Sequence, residues 1–285
     1  KYTSAYISWG LALDDTGRGE EAIRMYRKVI ELDSEDERAY SNWGQALFRL
    51  GRYEEAIEKF NVAIALDPID EYNYFKCGEA LRKAKRPEEA IAKYQKAIEL
   101  RPDYSSVYNA WGLILTEAGQ CKESIKMFEK AIEYYSKSLE IQKVVLGDNH
   151  PETAASYNNL GAAYSDLGEY KKAIEYNFKS LEIIKTMYGD NHLRTAASFN
   201  NLGQTYSQMG EYEKAIEYYS KSLEIHKVVF GEKHPSTATS YNNLGLAYSN
   251  LGGYQKAVEY YSKSLKIFKA VFGDNHPTTA QSYNN

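Results

Sequence analysis

The chain has 285 residues, 43% of them apolar, with 35 Lys and Arg against 39 Asp and Glu and a net charge of −4. The two signs are interleaved without a long run of either, which argues against a nucleic-acid or anionic-membrane surface. No stretch approaches the roughly 20 apolar residues of a membrane span and the first residues lack signal-peptide character, so a cytoplasmic protein is expected.

From the N-terminus, Trp9-Gly10, Trp43-Gly44, Cys77-Gly78 and Trp111-Gly112 recur every 34 residues. Within one copy, Tyr40, Trp43, Leu47 and Leu50 step by three and four, the spacing of one helical face, until Gly51-Arg52 interrupts them. Ala56, Ile57, Phe60, Ala63 and Ile64 then form a second stripe, closed by Asp67-Pro68. The spacing predicts a helical hairpin in which Gly44, Ala56 and Ala63 allow close approach. A lone hairpin cannot bury both stripes, so copies must stack.

Trp43, Gly44, Leu47, Gly51, Tyr53, Ala56, Phe60, Ala63 and Pro68 stand in an order that resembles the tetratricopeptide repeat family, and the frame also fits residues 3–36, 71–104 and 105 onward. Departures are local: Gly19 and Pro87 replace the turn tyrosine, Lys85 the turn glycine, and Ser34 the terminal proline.

Farther along, Asn158-Asn159-Leu160-Gly161, Asn200-Asn201-Leu202-Gly203 and Asn242-Asn243-Leu244-Gly245 recur at 42 residues. This unit resembles the longer repeat of kinesin light chains, with landmarks at Leu160, Gly161, Tyr164, Gly168, Tyr170 and Ala173. Its extra residues follow that alanine and are expected to lengthen the second helix by about two turns. The linkers set Pro151, Pro235 and Pro277 at a first helical position. His150, His192, His234 and His276 fall once per linker, a spacing that suits loop capping and not convergence on a metal.

The two series meet in residues 122–146. Gly112 to Gly161 spans 49 residues, seven more than 42, and EKAIEYYSKSLEI occurs both at 129–141 and at 213–225. Seven residues turn a helix by nearly two full turns, so one face serves both frames. The reading is therefore four 34-residue hairpins over residues 1–134, a shared helix over 122–146 lined by Ile125, Phe128, Ile132, Tyr135, Leu139 and Val145, and 42-residue hairpins over 135–285 with the last truncated. The fold class is all-α, a right-handed α-solenoid of about seven hairpins. Two origins stay open, a natural array of mixed repeat length and a deliberate splice of two arrays. The abrupt change of style, the overlap and a stop at Tyr283-Asn284-Asn285 within a first helix favour the splice.

Catalytic chemistry is not expected. There is no Gly-rich phosphate loop after a strand and no nucleophile with His and acidic partners. No metal or cofactor is expected, and Cys77 and Cys121 are expected to be buried, reduced thiols. What stacked first helices offer is a concave surface for an extended peptide or a protein partner. Asn158, Asn200 and Asn242 are its candidate peptide-contacting residues, because amides both donate to and accept from a peptide backbone. In kinesin light chains the resemblance implies that the corresponding asparagines line a cargo groove. Ser165, Ser207, Gln208, Ser249 and Asn250 share the face, whose one acid is Asp166. Asn159, Asn201 and Asn243 are expected to bond between neighbouring helices. In the first series Ile7 and Leu11 occupy places where a chaperone-tail groove carries Lys and Asn, leaving only Asn42 and Lys76 of that set. The 27 tyrosines recur mainly at stripe positions and are assigned to packing. The alternative is a rigid engineered scaffold without a physiological ligand. End-to-end self-packing is expected if residues 277–285 only partly cover Tyr260, Leu265 and Phe268.

Overall fold

In the computed structural model, which describes residues 2–273 and Thr279, every element is an α-helix; fourteen are formed and no strand occurs among the described residues. The chain divides into two compact units between Ala131 and Ile132. In the first unit, α1 (Tyr2–Asp15) pairs with α2 (Gly19–Leu32), α3 (Glu37–Arg49) with α4 (Tyr53–Leu66), and α5 (Glu71–Lys83) with α6 (Pro87–Leu100). Next comes α7 (Ser105–Glu117), followed by the start of α8 (Cys121–Leu146). Each second helix also packs on the following first helix, which is how the stripes left over by one hairpin are covered.

One contact closes every hairpin of this unit. Gly10, Gly44, Gly78 and Gly112 lie against the rings of Tyr26, Phe60, Tyr94 and Phe128, sixteen residues on. A Cβ on Gly44 would stand 2.8 Å from the Phe60 ring and one on Gly112 2.6 Å from the Phe128 ring, so no larger residue fits without moving a buried aromatic. At the tip, Gly17, Gly51 and Gly119 turn the chain with φ between 73° and 78°. Lys85 holds the same turn at φ 60°, where its Cβ is strained. On the outside, Arg52 Nη1 donates to Glu20 Oε1 of the preceding hairpin at 2.9 Å, and Arg86 Nη1 to Glu54 Oε2 at 2.8 Å. Cys77 is buried and its thiol pKa is pushed up to about 11 by desolvation. Cys121 departs from expectation: it is exposed, at the turn-tyrosine place where α8 opens, and its thiol donates to the turn carbonyl of Gly119 at 3.7 Å.

Helix α8 is helical from Cys121 to Leu146 with no turn between Glu133 and Ser138. Its buried stripe is Phe128, Ala131, Tyr135 and Leu139. Ile125 and Val145, expected on that stripe, are 45% and 70% exposed. The helical period explains both. Ser124, four residues before Phe128, is the buried one and donates to Gly112 O at 3.1 Å, while Val145 lies six residues past Leu139, on another face.

In the second unit, α9 (Pro151–Asp166) pairs with α10 (Tyr170–Tyr188), α11 (Leu193–Met209) with α12 (Tyr212–Phe230), and α13 (Pro235–Asn250) with α14 (Tyr254–Phe272). The second helices have 19 residues against 14 in the first unit, and α9 and α13 have 16 against 13 in α3 and α5. The longer repeat is thus shared between both helices instead of adding two turns to one. The cause is the linker. His150, His192 and His234 each accept the backbone N–H two residues on through Nδ1, at 3.2, 3.1 and 3.1 Å, and so start the next helix early. Thr153, Thr195 and Thr237, fully buried, donate back to the carbonyls of Gly147, Gly189 and Gly231 at 2.9, 2.7 and 2.8 Å. The expected capping role of the histidines is therefore what these three perform, while His276, Pro277 and the covering segment 277–285, Thr279 apart, lie outside the described residues. Between the helices of each pair, Tyr164 stacks on Tyr176, Tyr206 on Tyr218 and Tyr248 on Tyr260 with centroids 5.4, 5.4 and 5.5 Å apart. No helix among the described residues is long and apolar enough to cross a membrane.

Two outcomes follow from this geometry. Lys85→Gly removes the left-handed strain at the α5–α6 turn and is expected to raise stability by about 1 kcal/mol, read as a higher denaturant midpoint at constant slope. A lower midpoint would show that Lys85 is not strained. Desolvation lowers the pKa of His234, and of His226, whose Nδ1 lies 2.7 Å from Ser240 Oγ and whose proton affinity His234 lowers further. Above about pH 6.5 both folded and unfolded chains carry neutral imidazoles; below it the unfolded chain takes up protons first, so stability is lost as pH falls. The thermal midpoint should drop between pH 7.5 and 5, and drop less in His234→Asn, which caps without titrating. Equal drops would remove His234 from the account.

Candidate functional site

The first helices of the second unit carry polar side chains at a seven-residue interval, two turns apart on one face: Asn158 and Ser165 on α9, Asn200 and Ser207 on α11, Asn242 and Ser249 on α13. Asn158, Asn200 and Asn242 are half-buried, as are Ser207 and Ser249; Gln208 and Asn250 are exposed and Ser165 is buried. Asn201 Nδ2 donates to Asn158 Oδ1 at 2.5 Å and Asn243 Nδ2 to Asn200 Oδ1 at 2.7 Å. Ser165 Oγ donates to Gln208 Oε1 at 2.6 Å. Asn201 and Asn243 of one asparagine set are therefore bonded, as a ladder from hairpin to hairpin, to Asn158 and Asn200 of the other, although the sequence assigns the sets to separate tasks; Asn159, expected to bond likewise, is exposed and makes no such bond among the described residues. Asn201 and Asn243 hold the helices together as expected. Asn158 and Asn200 each supply the acceptor, which leaves their Nδ2 groups without a protein partner among the described residues.

Reading the sequence missed Gln204 and Leu246. They stand four residues after Asn200 and Asn242, on the same face, and both are exposed, Leu246 at 49%. The spacing of four was the available signal. Beneath the face the hairpin contact of the first unit recurs, with Gly203 on Tyr219 and Gly245 on Tyr261. The first hairpin of the second unit differs: under Gly161 the ring is replaced by Asn177, which is buried and donates to Thr205 Oγ1 of α11 at 3.1 Å. Thr205 Oγ1 in turn donates to Asn201 O at 3.0 Å, so this polar chain ends on the ladder residue. The arrangement presents amide donors and hydroxyls with little fixed charge, a chemistry suited to backbone carbonyls.

The corresponding face of the first unit is spent on its own packing. Ser41 Oγ donates to Asn73 Oδ1 at 2.6 Å, while Asn73 Nδ2 donates to Glu37 and, at 2.9 Å, to Asp70 Oδ2. Arg49 Nη1 reaches Asp14 Oδ2 at 2.7 Å; burial nevertheless raises the Asp14 pKa, with Arg49 opposing. Tyr94 OH donates to Glu79 Oε1 at 2.5 Å, past Gly78. Ile7 is buried, Leu11 is 41% exposed, and Lys76 lies over the Tyr72 and Phe75 rings at 5.2 and 5.3 Å, its pKa lowered by desolvation. Among the described residues no group of three or more His, Cys, Asp and Glu could hold a metal ion.

The family comparison agrees with the hairpin geometry. The tetratricopeptide repeat family matches residues 7–71, and again 103–186, 179–227 and 194–270; a further match to a TPR repeat covers residues 78–119. Among solved structures, the chain is similar to BtubC (BKLC) from P. vanneervenii at 21% identity, over 80% of this chain and 93% of that one, with a TM-score of 0.49. It is also similar to MamA at 25% identity, over 62% and 95%, with a TM-score of 0.42. No curated protein sequence matches it. With the repeat matched along most of its length and helices paired as hairpins within each unit, the chain belongs to the tetratricopeptide repeat family.

Proposed function

We propose that this protein is a non-enzymatic interaction scaffold whose 42-residue hairpins hold an extended peptide along the Asn158–Asn200–Asn242 face. Proteins of this family generally serve as repeat scaffolds for protein partners. The observation that carries the reading is the amide ladder: Asn158 and Asn200 are each anchored through the oxygen, so their N–H groups, one repeat apart, stay available for peptide carbonyls. Ser207, Ser249, Gln208 and Asn250 extend the polar strip, with Gln204 and Leu246 between them. The kinesin light chain-like unit favours a cargo-type segment, and the scarcity of Lys and Arg on the face argues that the segment is not strongly acidic.

Selection of extended peptides from a displayed library tests this. Peptides retained by the wild type should bind about tenfold more weakly to the triple variant Asn158→Ala, Asn200→Ala, Asn242→Ala. Asn201→Ala with Asn243→Ala is the control, because it breaks the same ladder bonds while leaving the face amides in place. Equal loss in both variants would make the amides structural and end the peptide reading.

A second reading rests on one observation: α8 runs unbroken through the segment whose sequence, EKAIEYYSKSLEI, also opens α12 in the 42-residue series. On this reading the chain is a spliced scaffold whose helix serves two arrays. Lys137→Pro would then cost about 3 kcal/mol and split one calorimetric transition into two; a single transition at lower temperature would count against it.

A further inference from the structure

Away from the first-helix face, two successive 42-residue hairpins carry the same cleft. It lies between the linker entering the hairpin, an aromatic residue early in the first helix and the C-terminal half of the long second helix. In the α11–α12 hairpin it is lined by Asp190, Asn191, Phe199, Lys221, Glu224 and Val228. In the α13–α14 hairpin the residues 42 positions on, Glu232, Lys233, Tyr241, Lys263, Lys266 and Ala270, line the same cleft. The floors are Ile225 and Ile267, both buried. The earlier cleft stays open although another hairpin follows it, so the opening belongs to the hairpin itself.

The two clefts differ in charge. In the α11–α12 hairpin the lining holds two acids, Asp190 and Glu224, and two lysines, Lys221 and Lys227, with Asp190 paired to Lys185 at 2.7 Å and Lys221 to Glu217 at 2.6 Å. One repeat later Asn191 has become Lys233 and Glu224 has become Lys266. The remaining acid there, Glu232, is already engaged, with Lys227 Nζ at 2.6 Å and the Tyr241 hydroxyl donating to it at 3.3 Å. Lys263 pairs with Glu259 at 2.6 Å and lies 5.7 Å from the Tyr241 ring centroid. Lys233 and Lys266 are exposed and make no ion pair among the described residues. Helix α14 as a whole carries four lysines and one glutamate, whereas α12 carries three of each.

We propose that the α13–α14 cleft is a second binding site, for a short acidic peptide segment whose carboxylates meet Lys233 and Lys266 and whose adjacent apolar side chain rests on Tyr241 over Ile267. Two free ammonium groups beside an apolar floor fit carboxylates flanking an aliphatic or aromatic residue. A nucleic acid would need cationic groups continuing from repeat to repeat, and the neighbouring cleft offers Asp190 and Glu224 instead. This site does not rest on the first-helix face, which lacks lysine and suits a different ligand.

The test is fluorescence anisotropy with a labelled peptide of sequence Glu-Glu-Leu-Glu-Glu. The wild type should bind it saturably with one site, more weakly as salt is raised. Lys233→Asn with Lys266→Glu installs the side chains of the preceding cleft on exposed positions and should weaken binding by about tenfold or more. The reciprocal Asn191→Lys with Glu224→Lys should raise the stoichiometry to two. The triple Asn158, Asn200, Asn242 alanine variant should bind as the wild type does. No saturation by the wild type, equal binding by the Lys233 and Lys266 double variant, or loss in the asparagine variant alone would overturn the assignment, as would equally strong binding of an oligothymidylate of matching charge.

Discussion

The absence of a Cβ on one first-helix glycine per hairpin is the constraint on which the remaining packing depends. Because Gly44, Gly78, Gly112, Gly203 and Gly245 present bare backbone, the ring of the second helix can lie directly on the first. That contact sets the helix separation, and the separation decides which side chains of successive first helices come within bonding distance. The exception supports the rule. Where Asn177 takes the ring's place, its carbonyl approaches Gly161 as closely as a ring would, and its amide finds Thr205, where the equivalent positions are Ala163 and Ala247. A buried amide without that hydroxyl would carry a desolvation cost of about 1–3 kcal/mol, so the two exchanges are intelligible only together.

With the same contact at their centres, the two units differ in the polar bonds laid over it. The first joins hairpins with exposed ion pairs, Arg52 to Glu20 and Arg86 to Glu54, which solvent screens and which contribute little. On its first helices Ser41 is bonded to Asn73, and Glu79 accepts from Tyr94 of the second helix α6. The second joins hairpins with amides and closes its linkers with His and Thr, bonds that take up only part of each side chain's capacity. This is why the functional readings fall on the second unit. A face whose donors are consumed by the fold has little to offer a ligand.

Helix length has a structural consequence as well. Five further residues on the second helix and three on the first leave the linker beneath the long helix, and the space between them is the cleft seen in two successive hairpins. Repetition makes its chemistry readable. Positions held constant, such as the isoleucine floor, answer to packing, whereas the change from Asn191 and Glu224 to Lys233 and Lys266 alters charge on exposed positions where packing demands nothing.

Period and spacing alone determined the helical hairpins, the close-approach glycines, the turn glycines and the capping role of His150, His192 and His234, because each is a local rule written within some forty residues and repeated. The continuity of α8 was legible for the same reason: no helix breaker stands between Lys122 and Leu146. Three matters were settled only in three dimensions. The inward stripe of α8 runs through Ser124 and not Ile125, since a partner's carbonyl at Gly112 selects the hydroxyl. Asn201 and Asn243 proved to be bonded to Asn158 and Asn200, which depends on the offset between adjacent first helices and not on either helix alone. The cleft joins a linker, a ring and a helix end that lie more than thirty residues apart, and only packing brings them together.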